Sequence, residues 1–465
     1  MTSRHRELLS IATLAGAGML TSFQFTLTVP ALPEIPSALD VSATDAAWVV
    51  TISMLAGTIG TPIVARMADM YGRRRIFIAC LAILTLGSML AAIGMTYTTV
   101  MIGRACQGFA TSLVPIGISI MREQLSRERS SSAIAAMSAT IGIGSTIGLP
   151  LAGILLEAGG IPAIFWFSAI LGAVFLILVP LFVTPSRIRS GGRFDLVGAS
   201  ILAVCLAAFL LVVSKGLEWG WASTPTLLFA SIAVLAFAIW IPHQLRTPDP
   251  VVNLRTSMRR GVMQTNIAAF FASVGMFANH FLTLNQARAP ESTGSGLGLE
   301  ATQAGLLLMP SAFMLVVLSP VVGKALGRYG GRIPLALGAA IMSAGFWIRL
   351  WTEPSVGSIV LCTFLVGVGT AFAFAATPTL ILDSVPAHEA AAASGVNGLI
   401  RSLSAAMTSS AFALLMTAYP WHGNAEYLTS EGLDVGFITV GIAAALAAAI
   451  AVALPKVRPT SPARG

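Results

Sequence analysis

The chain has 465 residues, 56% of them hydrophobic and only 10% charged, with a mean hydropathy of +0.84 and a formal net charge of +8. A soluble domain carries about 25% charged residues, so a water-solvated globule is excluded and the chain must be solvated mostly by lipid. The basic residues sit in turns between apolar runs and form no contiguous patch with aromatics, which excludes a nucleic-acid partner.

The start, "MTSRHRELLS", is basic and then apolar like a signal peptide. The apolar run continues for about 20 residues without an A-x-A-like cleavage site and reads as an uncleaved first span. Further segments long enough to cross a bilayer begin near Ala46, Ile76, Thr98, Ala133, Pro162, Leu196, Pro225, Val262, Thr302, Pro334, Ser355, Ala393 and Val435. With the first, near Leu8, they predict fourteen transmembrane helices. Cys80, Cys106, Cys205 and Cys362 each fall inside a span, far apart in sequence, and read as small packing residues without a disulfide or metal role.

Charge asymmetry sets the orientation. With the N-terminus inside, only Lys215 and Arg288 of the 27 basic residues fall in outer turns, and only Arg104, Arg349 and Arg401 fall within spans. Both termini are therefore expected in the cytoplasm of a multi-pass plasma-membrane protein. The outer turns "APESTGSGLGLE" and "YPWHGNAEYLTSEGLD" read as solvated loops.

An internal repeat organises the spans. "VARMADMYGRRRI" (64–76) and "VGKALGRYGGRI" (322–333) both give small–basic–x–x–x–x–Tyr–Gly–x–Arg at a cytoplasmic turn. Repeats of this kind mark transporter folds. The expected fold is all-α and polytopic: an N-terminal six-helix bundle (1–185), two inserted helices with linkers (186–258) and a C-terminal six-helix bundle (259–465).

Several stretches, in this order and spacing, resemble the major facilitator superfamily in its 14-span drug–proton antiporter branch. "ARMADMYGRRR" is similar to the loop signature G-x-x-x-D-R-x-G-R-R, "IGRACQGF" to the span-four signature R-x-x-Q-G, and "GIGSTIGLPLAG" to the Gly/Pro-rich antiporter signature. "FDLVG", "EWGW" and "VPAHEAAAASGVNGLIRSL" resemble further stretches of that branch. The resemblance implies a bacterial efflux transporter of drugs, antibiotics or metabolites, with a role for Arg104 near proton transfer.

The residues carry their own physical reading. Asp69 ends span two and Arg73 opens span three, so a carboxylate there can latch two helices in one state. Arg104 lies within span four, where a cation must face a cavity or a partner. The glycines Gly142, Gly144, Gly148 and Gly153 allow close helix approach. Asn279, His280 and Gln286 sit towards the outer end of span nine. His280 is a candidate titrating group, and Asn279 and Gln286 are candidate substrate contacts. Arg349, near a span end, reads as able to snorkel.

No acid falls at the centre of a span. The branch typically has an Asp in a first-span motif like D-x-T-x-x-x-x-x-L-P; here the stretch is Q-F-T-L-T-V-P-A-L-P, with Gln24 in the acid's place and Thr26, Leu32 and Pro33 in register. Gln24 carries no proton, but it keeps donor and acceptor capacity, so with Phe23 it is an expected substrate contact. Phe25, Met54, Phe270, Phe271, Met276 and Phe277 are read as further wall residues. Proton candidates are Glu34, Asp45, Asp69, Asp383 and His280.

The expected function is a monomeric secondary exporter of small amphipathic organic compounds. It works by alternating access with protons as the coupling ion, in contact with the lipid bilayer and without cofactor or metal. An uncoupled or differently coupled carrier, an importer or a lipid flippase, is the alternative favoured by Gln24. A non-transporting sensor would need a soluble domain. No His cluster, nucleophile elbow or phosphate loop points to an enzyme.

Overall fold

The computed structural model describes residues 3–28, 30–32, 34–186, 188–421 and 424–455. Pro33 and the last ten residues lie outside them, as do the side chains of Phe25, Leu149 and Pro150.

Helices follow one another along the whole chain: α1 (Ser3–Thr26), α2 (Ile35–Leu39), α3 (Ala43–Tyr71), α4 (Arg73–Gly94), α5 (Tyr97–Gly108), α6 (Leu113–Gln124), α7 (Arg127–Phe182), α8 (Leu196–Trp219) and α9 (Thr224–Arg246). They continue with α10 (Leu254–Ser257), α11 (Arg260–Arg288), α12 (Ala301–Leu306), α13 (Met309–Val317), α14 (Ser319–Tyr329), α15 (Arg332–Trp351), α16 (Val356–Ser384), α17 (Ala390–Ala418) and α18 (Ser430–Ala453). In lipid, a helix satisfies its backbone donors and acceptors internally, which is why the apolar runs take this form.

The expectation of fourteen spans in two six-helix bundles plus two inserted helices is corrected. Ten described helices are long and apolar enough to cross a membrane, or eleven if the pair around Leu318, bent by 49°, counts as one. The discrepancy has identifiable causes. Helix α1 is diluted by Ser, Thr, Gly and Gln24. The segment near Thr98 is split by a 3-10 turn at Phe109–Ser112 into two pieces of 12 residues, α5 and α6, the first carrying Arg104 and Gln107. The segments near Ala133 and Pro162 run together in the 56-residue α7, broken only at Gly159 and Gly160, and yield one apolar window, Leu151–Phe182. Gly160 has φ +63°, a conformation that L side chains rarely adopt.

The buried apolar clusters divide along the chain. One gathers α1, α3, α4, α6 and α7, with Leu382, Ala390 and Ala391 from the late part, and another gathers α11, α13, α14, α15, α16 and α18, with Ala135 of α7. A smaller one joins α8 and α9 to α17 and to Ile59 and Ile63 of α3. The early and late parts of the chain meet through small residues. A Cβ on Gly395 of α17 would meet Ala65 of α3 at 2.5 Å, and one on Gly323 of α14 would meet Ser132 of α7 at 2.8 Å. Ala65 and Gly323 hold matching places in the internal repeat, so each repeat helix packs on the opposite part of the chain.

Neither outer turn is a plain solvated loop. Leu297 and Leu299 pack against Ala287, Ala304 and Ile359, while Pro420–Trp421 pairs antiparallel with Asn424–Leu428.

Candidate functional site

At the end of the bundle rich in arginine, Asp69 and Arg73 form a buried ion pair. Asp69 lies in the last turn of α3 and Arg73 in the first of α4, four residues apart across the left-handed Gly72 (φ +107°). Both are fully buried. One oxygen of Asp69 accepts from Arg73 Nε at 3.0 Å and Nη2 at 2.8 Å. The same carboxylate accepts the backbone N–H groups of Ala391 at 3.2 Å and Ala392 at 2.7 Å, which are the free donors of the first turn of α17. Arg73 Nη1 pairs with Glu123 of α6 at 3.0 Å, and Arg73 Nη2 donates to the Ala387 carbonyl.

A second ion pair, Arg122 with Asp383, joins the ends of α6 and α16. Asn253 donates to Glu389 at 2.9 Å. The early, middle and late parts of the chain are thus clasped at one end. Sequence reading found Asp69 and Arg73 but gave Glu123 no role. Its spacing of 50 residues from Arg73 carries no local signal.

Deeper in the bundle, Arg104 is buried without a carboxylate partner among the described residues. Its Nε donates to the Val49 carbonyl at 2.9 Å, and Nη1 donates to the Gln24 carbonyl and to Gln107 Oε1, both at 2.8 Å. Gln107 in turn donates to Ser88 Oγ at 2.8 Å. Three helices are tied to one guanidinium by carbonyls and an amide. Gln24 is 3% exposed, and its Nε2 and Arg104 Nη2 have no hydrogen-bond partner among the described residues. Phe23, beside it, packs edge-on against Phe167 at 5.9 Å in the apolar core.

A similar arrangement occupies the late part. Arg349 of α15 donates to Gln286 from Nε at 3.1 Å and to Thr283 Oγ1 at 3.0 Å, and lies 4.8 Å from the centre of the Phe437 ring. It is buried and bonded inward, not snorkelling. Thr283 also bonds Asn279 Oδ1 at 3.4 Å, and Asn279 Nδ2 has no hydrogen-bond partner among the described residues. His280 Nδ1 meets the Met276 carbonyl at 2.9 Å, one turn back on the same helix. Glu34 is exposed, beside the short α2. The expected site residues therefore form three separate groups, with Glu34 apart from all of them, rather than one constellation.

The glycine signature serves close packing. A Cβ on Gly142 would meet Leu315 of α13 at 2.7 Å, and one on Gly144 or Gly148 would strike Ser22 or Thr26 of α1; at Gly153 there is open space. "FDLVG" holds a polar joint. Asp195 caps α8 by accepting from the Gly198 N–H at 2.8 Å and also accepts from His243 at 2.9 Å and Gln244 at 2.8 Å of α9.

Comparison with known proteins agrees with this architecture. The multidrug resistance protein Stp of Mycobacterium tuberculosis is 28% identical over 408 residues, covering 86% of this chain and 74% of that protein. The tetracenomycin C resistance and export protein of Streptomyces glaucescens is 24% identical over 423 residues, covering 89% and 77%. The crystal structure of the human organic anion transporter MFSD10 superposes with a TM-score of 0.68 over 96% of this chain and 99% of that one, at 14% identity, a likeness of fold alone. The Major Facilitator Superfamily matches residues 14–283 and again 263–465. With helices that cross a membrane many times, a clasp between early and late parts of the chain, and a family match over nearly its full length, the chain belongs to the Major Facilitator Superfamily of membrane transporters, which are not enzymes.

Proposed function

We propose that this transporter exports small amphipathic organic compounds (drugs, antibiotics or metabolites) from a bacterium, by alternating access coupled to protons. The Asp69 clasp carries this reading. Four donors from two parts of the chain converge on one buried carboxylate, so breaking them opens one end as a unit. The names of two relatives, a multidrug resistance protein and an export protein, support the direction. In this reading the arginine-rich end and both termini face the cytoplasm. The protein works as a monomer in which residues 1–185 and 259–465 rock against each other with 186–258 between them. Asp69 and Arg73 gate; Gln24, Asn279 and Gln286 contact substrate; Glu34 and His280 are candidates for passing protons.

The test is transport into inside-out vesicles under an imposed pH gradient. Accumulation that collapses with the gradient supports proton-coupled export. Accumulation indifferent to the gradient favours the second reading, an uncoupled or differently coupled carrier. That reading is supported by Gln24, which places an uncharged amide beside Arg104.

A further inference from the structure

The middle of the membrane bundle is cationic, and one of its cations is uncommitted. Among the described residues, every helical acid of a predicted span lies near an end or on an exposed face, whereas Arg104 and Arg401 lie within their spans and Arg349 is buried in the last turn of α15. The guanidinia of Arg104 and Arg349 are occupied by carbonyl, amide and hydroxyl oxygens. Arg401 is different. It makes no hydrogen bond or ion pair among the described residues, and its guanidinium lies 3.7 Å from the centre of the Phe374 ring.

Its position is interior. Asn397, Arg401 and Ser404 share one face of α17. Asn397 donates to Asn266 at 3.1 Å and Ser404 to the Phe270 carbonyl at 2.9 Å, both on α11. Phe374 belongs to α16 and is buried, and its carbonyl accepts from Ser138 of α7 at 3.3 Å, so Arg401 sits where the late helices meet the early ones. It lies about 16 Å along α17 from its start, near mid-membrane depth. Yet Arg401 is part-exposed, as are Phe270 and Phe271 on the facing helix. A mid-membrane cation is expensive unless it meets a counter-charge or water, and among the described residues no carboxylate pairs with Arg401.

The geometry points to Arg401, stacked on Phe374, as the anchor for an organic anion: an amphipathic compound with a carboxylate or similar acid group beside an aromatic body. The guanidinium fork suits a carboxylate, the ring behind it fixes its plane, and Phe270 and Phe271 offer an aromatic wall. This rests on the transport reading above and narrows its substrate class.

The test uses the purified full chain and three probes of similar size: 2-naphthoate, 2-naphthylmethanol and 2-naphthylmethylammonium, measured by equilibrium dialysis. The expected result is naphthoate binding about tenfold tighter than either other probe. Arg401→Gln should remove that preference while leaving the alcohol's affinity unchanged, and Arg401→Lys should keep part of it. Equal binding of the three probes, no naphthoate binding, or an unchanged preference in Arg401→Gln would overturn the assignment. Naphthoate affinity unchanged by added phosphatidylglycerol supports a soluble ligand. Its loss assigns the guanidinium to lipid phosphate and overturns the proposal. Proteoliposomes separate the two readings. Movement of the ammonium but not the naphthoate sinks the anion site and leaves transport standing. Arg401-dependent binding with no movement under any gradient sinks the transport reading and leaves the site.

Discussion

Arg104 donates to the main-chain carbonyl of Gln24 at 2.8 Å, not to its side chain. Among the described residues the amide nitrogen of Gln24 is therefore free for another task, although its residue is one of the anchors of a fully buried cation.

This separates two substitutions. Gln24→Ala keeps the carbonyl and should change thermal stability by less than about 1 kcal/mol, while altering substrate range. Gln24→Asp sets a carboxylate near the unpartnered Nη2 of Arg104 and should make transport respond to pH in a new range. Transport rates across pH 5.5 to about 8.5 check this; an unchanged pH profile in Gln24→Asp would count against an inward-facing side chain.

Gln286 and Asn279 are both expected substrate contacts, but their surroundings differ. Gln286 is the main acceptor for Arg349, so Gln286→Leu leaves a buried guanidinium short of partners and should cost about 2 kcal/mol in detergent unfolding. Asn279 has an amide nitrogen without a partner among the described residues, so Asn279→Leu should cost less than half as much and act mainly on substrate KM. A reversed order of stabilities would refute the structural role given to Gln286.

The legible and illegible parts of the site divide by the range of the signal. Asp69 and Arg73 are four residues apart, and Arg104 and Gln107 three apart, so helix geometry alone brings each pair together. The Ala391 and Ala392 donors were invisible because a backbone N–H at a helix start leaves no mark in side-chain composition. Arg349 looked able to snorkel because it lies near a span end; Gln286, 63 residues away, turns it inward. Counting apolar runs missed how Arg104, Gln107 and the 3-10 turn after them divide one run into two short helices.

Asp69→Asn tests the clasp. The amide can still occupy the site, but it loses the charge that Arg73 and two backbone donors address. Losing one member of a buried charged pair costs about 3 kcal/mol in the conformation that uses it, enough to shift a two-state equilibrium by about a hundredfold. Cysteine-labelling of the arginine-rich end should rise, and transport should fall at least about tenfold. Labelling equal to that of the unaltered protein would mean that the clasp does not set the equilibrium.

Asp195 supplies the pH prediction. Burial alone would raise its carboxyl, but the hydrogen bonds from His243, the Gly198 N–H and Gln244, with the attraction of His243, together hold it below the ordinary carboxylate value of 3.8. A carboxyl held low in the folded state contributes stability above its unfolded value, and that stability is lost as pH falls through the folded value. The α8–α9 joint should therefore loosen below about pH 4. Hydrogen exchange at Gly198 and Val252 reads this directly, since Val252 N–H donates to Gln244 at 3.1 Å within the same cluster. In Asp195→Asn the protection should be lower at neutral pH and should no longer fall on acidification, because no carboxylate remains to be protonated there. Acid-induced loosening that persists in Asp195→Asn would place its origin elsewhere in the joint.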